Sequence, residues 1–137
     1  MRLWHKDLIT VLPREQLVSQ WRELSSIAGA IQKNSTPNHL LVNFVLDYDY
    51  DNFISYAKLI RDEMTKRGYR TMDSVWNKIV ALKPKWRLLK FSDIYKEKMG
   101  PLYWTICYYN LKEKWYCGGI SYSDWSKIED MELMLYK

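Results

Sequence analysis

The sequence predicts a mainly α, single-domain fold that ends in an aromatic-rich region, either irregular or built as a short hairpin. Three observations lead there. Two long stretches place apolar residues every three or four positions, which is the helical period. Residues 102–122 are rich in Tyr, Trp, Ile and Cys and are interrupted by the polar run Asn110 to Lys114, which leaves helix, hairpin and irregular tail unresolved by period. No internal repeat, low-complexity tract or linker divides the chain. Its 137 residues are 47% hydrophobic and 15% aromatic, enough for one packed core without disulfides or metal, and too apolar for disorder.

Taken in order, the chain opens with Met1-Arg2-Leu3-Trp4-His5. Pro13 suits the first turn of a helix, and Leu17, Trp21, Leu24, Ala28 and Ile31 then fall on one stripe. Arg22 and Glu23 lie just beyond its two edges. Asn34-Ser35-Thr36-Pro37 supplies turn formers and a helix-hostile proline. Residues 39–46 are too short and too uniformly apolar for periodicity to decide. Tyr50 to Arg67 is a second helix with Phe53, Tyr56, Ala57, Ile60 and Met64 facing inward, and Gly68 closes it. Asp73 is expected to cap a short helix through Leu82 that turns Val75, Trp76, Ile79 and Val80 to the core. Ser92 is expected to cap another that ends at Gly100-Pro101.

Composition narrows the function classes. There is no apolar run of about 18 residues, so a membrane span is not expected. Arg2, His5, Lys6 and Asp7 interrupt any signal-peptide core. Cys107 and Cys117 do not form a secreted disulfide framework and read as buried small hydrophobes, so a reduced, cytoplasmic protein is expected. The net charge of +5 comes mainly from residues 73–114, with nine basic and four acidic side chains. Lys83, Lys85 and Arg87 cluster in the first half of that segment. Such a patch suits phosphate, although an ordinary solvated surface has the same composition.

The chain offers few conventional catalytic parts. Two histidines and two cysteines at unrelated spacings make no credible zinc site, and no Gly-rich loop is present to cradle phosphate. Asp47, Asp49 and Asp51 alternate but lack the glycine that a cation loop needs, so they read as a solvated turn. His5 and His39 are candidates for a general acid and base, beside a capping role for His39. What remains is Glu23, Arg22 and the amine of Met1. Residues 1–12 can reach about 40 Å, whereas Pro13 to Glu23 rises only about 15 Å, so Met1 can fold back beside Glu23. An α-amine, with a reference pKa of about 7.7–8.0, is partly neutral and nucleophilic at cellular pH.

These residues carry a family resemblance. Pro13 to Leu24, with Trp21-Arg22-Glu23-Leu24 at its heart, and the continuation through Ile27-Ala28-Gly29-Ala30 to Lys33, resemble the first long helix of the phage pyrimidine-dimer DNA glycosylases, the endonuclease V-like family. Leu59-Ile60 through Lys66-Arg67-Gly68-Tyr69 is similar to that family's later helix. The opening Met1 to Leu8 and Thr36-Pro37-Asn38-His39 resemble an uncharacterised bacterial branch placed in it. The resemblance covers about the first 70 residues.

It implies a helical enzyme acting on double-stranded DNA that carries a damaged or modified base, with no cofactor and no metal, and expected to be monomeric. The implied nucleophile is the Met1 amine, which attacks the sugar C1′ to form a Schiff base, followed by nicking through β-elimination. Met1 should be retained because Arg2 is large. Glu23 would move protons and stabilise charge on the sugar, and Arg2, Arg22 and Lys33 would hold DNA. Lys83, Lys85 and Arg87 lie beyond the resemblance and are expected to join that grip on the basic charge of their segment alone. The chain also departs from the family, whose processed N-terminal residue is small, with histidine where Gln16 stands and arginine where Ser26 stands. Trp115-Tyr116-Cys117-Gly118-Gly119 is weakly similar to a C-terminal aromatic stretch that takes part in lesion recognition. The alternative is a catalytically silent helical scaffold that binds DNA or protein.

Overall fold

A computed structural model describes residues 1–33, 37 and 39–135. Among these, five α-helices follow a buried N-terminal segment: α1 (Arg14–Gln32), α2 (Tyr50–Lys66), α3 (Asp73–Val80), α4 (Pro101–Tyr116) and α5 (Tyr122–Leu135). Short 3-10 turns cover Lys6–Val11, Asn43–Asp47 and Phe91–Asp93, and no strand occurs among the described residues. The mainly α expectation is met. The turn expected at residues 34–37 and the Thr36 to His39 similarity fall largely outside the described residues.

Both long helices follow their stripes. Leu17, Trp21, Leu24 and Ala28 of α1 are buried, as are Phe53, Tyr56, Ala57, Ile60 and Met64 of α2. The two helices pack on each other, and α3 packs on α1. Gly29 assists at the α1–α3 contact, because a Cβ there would come within 3.0 Å of the Lys78 ammonium. Helix α2 ends in the expected glycine. Gly68 takes φ +80, and the Gly68 and Tyr69 N–H groups return to Thr65 O and Met64 O. The Arg67 beside it donates to Leu12 O at 2.7 Å, Thr10 O at 3.1 Å and Ile9 O at 3.3 Å. A cation thus closes the carbonyl end of the N-terminal 3-10 turn.

The C-terminal region corrects the expectation. Residues 101–116 and 122–135 are helical, neither irregular nor a hairpin. Tyr103, Trp104, Cys107, Tyr108 and Leu111 form a helical stripe, but Leu102, Ile106, Tyr109 and Tyr116 on the outer face are apolar too. With both faces apolar the period is blurred, and aromatic density imitates a strand. The Asn110 to Lys114 run is helical as well, with Leu111 buried within it. Gly118, at φ +86, ends α4 as Gly68 ends α2. Cys107 is buried as expected, whereas Cys117 at this helix end is exposed.

Smaller differences have local causes. Met72 precedes α3 as its cap residue without a side-chain bond, while Asp73 is its first residue and ion-pairs with Arg61. The helix expected from Ser92 is one 3-10 turn, since Tyr95 adopts φ 47 to bury its ring between Phe44 and Tyr48 and donate its N–H to Asn52 Oδ1. Of the three aspartates, Asp47 and Asp49 are exposed, as a solvated turn requires, and Asp51 is not. Asp49 caps α2, and Asp51 is buried, accepting the Arg87 N–H at 3.0 Å and facing the Lys83 ammonium.

Candidate active site

Chain ends ordinarily fray. Here residues 2–6 are each tied to another element. The Gln20 side chain of α1, wholly buried, accepts the Trp4 N–H at Oε1 (2.8 Å) and donates from Nε2 to Arg2 O (2.9 Å) and Glu23 Oε2 (3.2 Å). A donor on one side and an acceptor on the other permit only one amide orientation. The Tyr56 hydroxyl of α2 donates to Trp4 O at 2.6 Å and lies 3.0 Å from Gln20 Oε1. Tyr103 of α4 donates to Leu3 O. The Lys6 ammonium, buried at the segment's end, donates to Phe91 O (2.6 Å) and Ile94 O (2.7 Å), satisfying a charge that burial disfavours.

His5 belongs to the same scaffold. Its Nδ1 accepts the Asp7 N–H at 3.1 Å, so Nε2 carries the proton and donates to Met99 O at 2.6 Å. Burial holds its pKa below the ordinary 6.5, against the raising effect of Asp7. The unfolded chain therefore takes up a proton that the folded chain resists. Stability is fully present above about pH 6.5 and is lost as pH falls from there toward the lowered folded value. The melting temperature should drop between pH 7.5 and 5.5, and the drop should shrink in His5→Asn, which keeps a capping acceptor but cannot titrate. Equal drops in the two proteins would contradict this account of His5.

This anchoring delivers the chain's first residue to a cleft of about 370 Å³ between the N-terminal segment, α1 and α4. Met1, Arg2 and Trp4 form one wall, Glu15, Gln16, Ser19 and Glu23 of α1 another, and Asn110 and Lys114 of α4 a third, with Leu41 at the rim. The Arg2 guanidinium lies 5.3 Å from the Trp4 ring, and Met1 is partly exposed. Gln16 Oε1 is enclosed without a hydrogen-bond partner among the described residues. Glu23 stands half in the cleft because its neighbours Trp21 and Leu24 are buried while Arg22 is exposed. Burial raises the Glu23 pKa, opposed by the positive charge of the Met1 α-amine, the Arg2 backbone N–H and His39. Amine and carboxyl therefore sense each other, though they form no direct ion pair among the described residues. An acid whose pKa is lifted toward neutrality is suited to proton transfer.

Of the residues singled out from sequence, the cleft gathers Met1, Arg2 and Glu23, with His39 acting on it electrostatically. The His39 Nδ1 itself accepts the Leu41 N–H at 3.3 Å. Arg22 is exposed next to Glu23 but forms no part of the walls, and Lys33 caps the far end of α1. Lys85 and Arg87 are exposed on the segment after α3, away from the cleft walls. Lys83 on that segment is occupied by Asp49 (2.8 Å) and Asp51 (3.0 Å). His5 lies outside the cleft. Trp115 stacks on Trp125 with centroids 5.1 Å apart, and Tyr116 is exposed on the outer side of α4.

Sequence reasoning missed Gln20 and Asn110, and it counted Lys114 in the basic segment without tying it to the cleft. Gln20 had a signal: it lies three residues after Leu17 and four before Leu24, so the stripe itself places an amide in the core, where it must be hydrogen-bonded. Nothing local marks Asn110.

A family model for pyrimidine dimer DNA glycosylases matches residues 1–77. The chain belongs to that family. The matched region holds the anchored segment, α1, α2 and most of α3, hence Met1, Arg2 and Glu23, and the family makes DNA the substrate class. Helix α4, which closes the cleft with Asn110 and Lys114, lies beyond it. No match was found among curated proteins or solved structures. Among the described residues, no helix is long and apolar enough to cross a membrane.

Proposed function

We propose that this cleft is the active centre of a DNA glycosylase with associated abasic-site lyase activity, acting on a damaged or modified nucleotide of the pyrimidine-dimer type in double-stranded DNA. The observation that carries the reading is the shared cleft: Met1, held by a segment anchored from Arg2 to Lys6, and the half-buried Glu23 of α1 both line it, and the amine's charge acts on the carboxyl. The neutral amine attacks C1′ as the bond from C1′ to the base breaks, and the base leaves with a proton. Opening of the sugar ring produces the imine. Loss of a C2′ proton then expels the 3′ phosphate and nicks the strand. Glu23 supplies and removes protons and offsets positive charge at C1′. Arg2 and Lys114 sit where they can meet the flanking phosphates, and Arg22, Lys33, Lys85 and Arg87 extend the grip along the duplex. The target nucleotide or its partner leaves the stack to reach the cleft.

Borohydride trapping on abasic duplex DNA tests this. A single covalent adduct is expected, and it should disappear when the N-terminus is acetylated, with intact mass confirming that Met1 is retained and free. Duplex binding without any trapped adduct would instead identify a silent DNA-binding scaffold.

A further inference from the structure

Gln20 does more than fill the core. Its Nε2 bridges the main chain next to the nucleophile (Arg2 O) and the reacting carboxyl (Glu23 Oε2), while its Oε1 holds Trp4. No other side chain among the described residues bonds to both the N-terminal main chain and Glu23. We infer that Gln20 is a positioning residue that sets both the placement of the Met1 amine and the ionisation of Glu23, an inference that rests on the cleft being the active centre.

The amide hydrogen given to Glu23 Oε2 favours the carboxylate and opposes the desolvation of that half-buried group. The same amide group is fixed in orientation by Trp4 N–H and Arg2 O, so it cannot rotate to accept from a protonated Glu23. Other groups act on this carboxyl: the Met1 amine and Arg2 N–H from the N-terminal segment and His39 from the following loop, with Glu15 of α1 and Lys114 of α4 lining the same cleft. Of these, only Arg2 joins Gln20 in bonding the carboxyl directly, and Gln20 holds Arg2 in place.

The test compares Gln20→Met with Tyr103→Phe, which removes the hydroxyl bonded to Leu3 O but no partner of Gln20 or Glu23. Carboxyl-carbon NMR titration of Glu23 reads the effect without any substrate. In Gln20→Met the Glu23 midpoint should rise by about half a pH unit or more, as expected for loss of one donor to a carboxylate, and in Tyr103→Phe it should stay in place. The acid limb of the adduct-trapping rate should move with it. If Gln20→Met does not fold, Gln20→Glu, which keeps an acceptor for the Trp4 N–H, should raise the midpoint further by placing a second carboxylate beside Glu23. An unmoved Glu23 midpoint in a folded Gln20 variant, or an equal shift in Tyr103→Phe, overturns the inference. If wild-type protein traps no DNA but the midpoint moves, the proposed function fails while the Gln20–Glu23 coupling stands.

Discussion

Glu23→Gln should slow nicking of abasic duplex DNA by about 100- to 10,000-fold in single-turnover assays, the range expected when a positioned proton-transfer group is removed. Duplex affinity should change only a few-fold. The substitution keeps the side chain's shape, and an amide oxygen at position 23 can still accept from Gln20 Nε2, so the anchored segment has no reason to shift. What disappears is an acid and base whose pKa burial has raised and whose charge balances the Met1 amine across the cleft. Loss of rate with preserved affinity is the mark of an interaction used in the transition state. A variant that nicks as fast as wild type would remove Glu23 from the mechanism.

The largest structural effect is expected at Trp125, outside the cleft lining. This indole is fully buried in α5, parallel to Trp115 at 5.1 Å and tilted against Tyr108 at 5.4 Å. Its Nε1 has no hydrogen-bond partner among the described residues, so packing of the ring is what it contributes. Trp125→Ala should cost about 3–5 kcal/mol and lower the melting temperature by about 10–20 °C. Trp125→Phe should recover much of that loss. Thermal unfolding measures both. Because α5 packs on the Lys6–Val11 turn, the alanine variant should also loosen the base of the N-terminal segment and reduce adduct trapping below its melting range. A change of only a degree or two would show that the α4–α5 layer does not support the rest of the fold.

How far the molecule was legible in its sequence depended on how local each feature is. Helices α1 and α2 were readable because each buries a single stripe, and Gly68 was readable because one residue type suits its φ of +80. Helix α4 was not, since Leu102, Ile106 and Tyr109 make its outer face as apolar as its inner one. The basic segment was visible as charge, but composition does not reveal that Lys83 is engaged by Asp49 and Asp51 while Lys85 and Arg87 stay exposed.

The candidate site divides along the same line. Trp21-Arg22-Glu23-Leu24 sits in one helical turn, so period and family resemblance were enough to select Glu23 and, with it, the Met1 amine. Helical spacing also placed Arg22 outside and Trp21 inside. Only the tertiary structure joined the first residue to that turn, through Gln20, Tyr56 and Tyr103, and only it brought Asn110 and Lys114 to the far wall of the cleft. These contacts link positions 16 to 100 residues apart. They are decided by which faces are left to pack once the helices have formed, and a pattern confined to neighbouring residues does not record that choice.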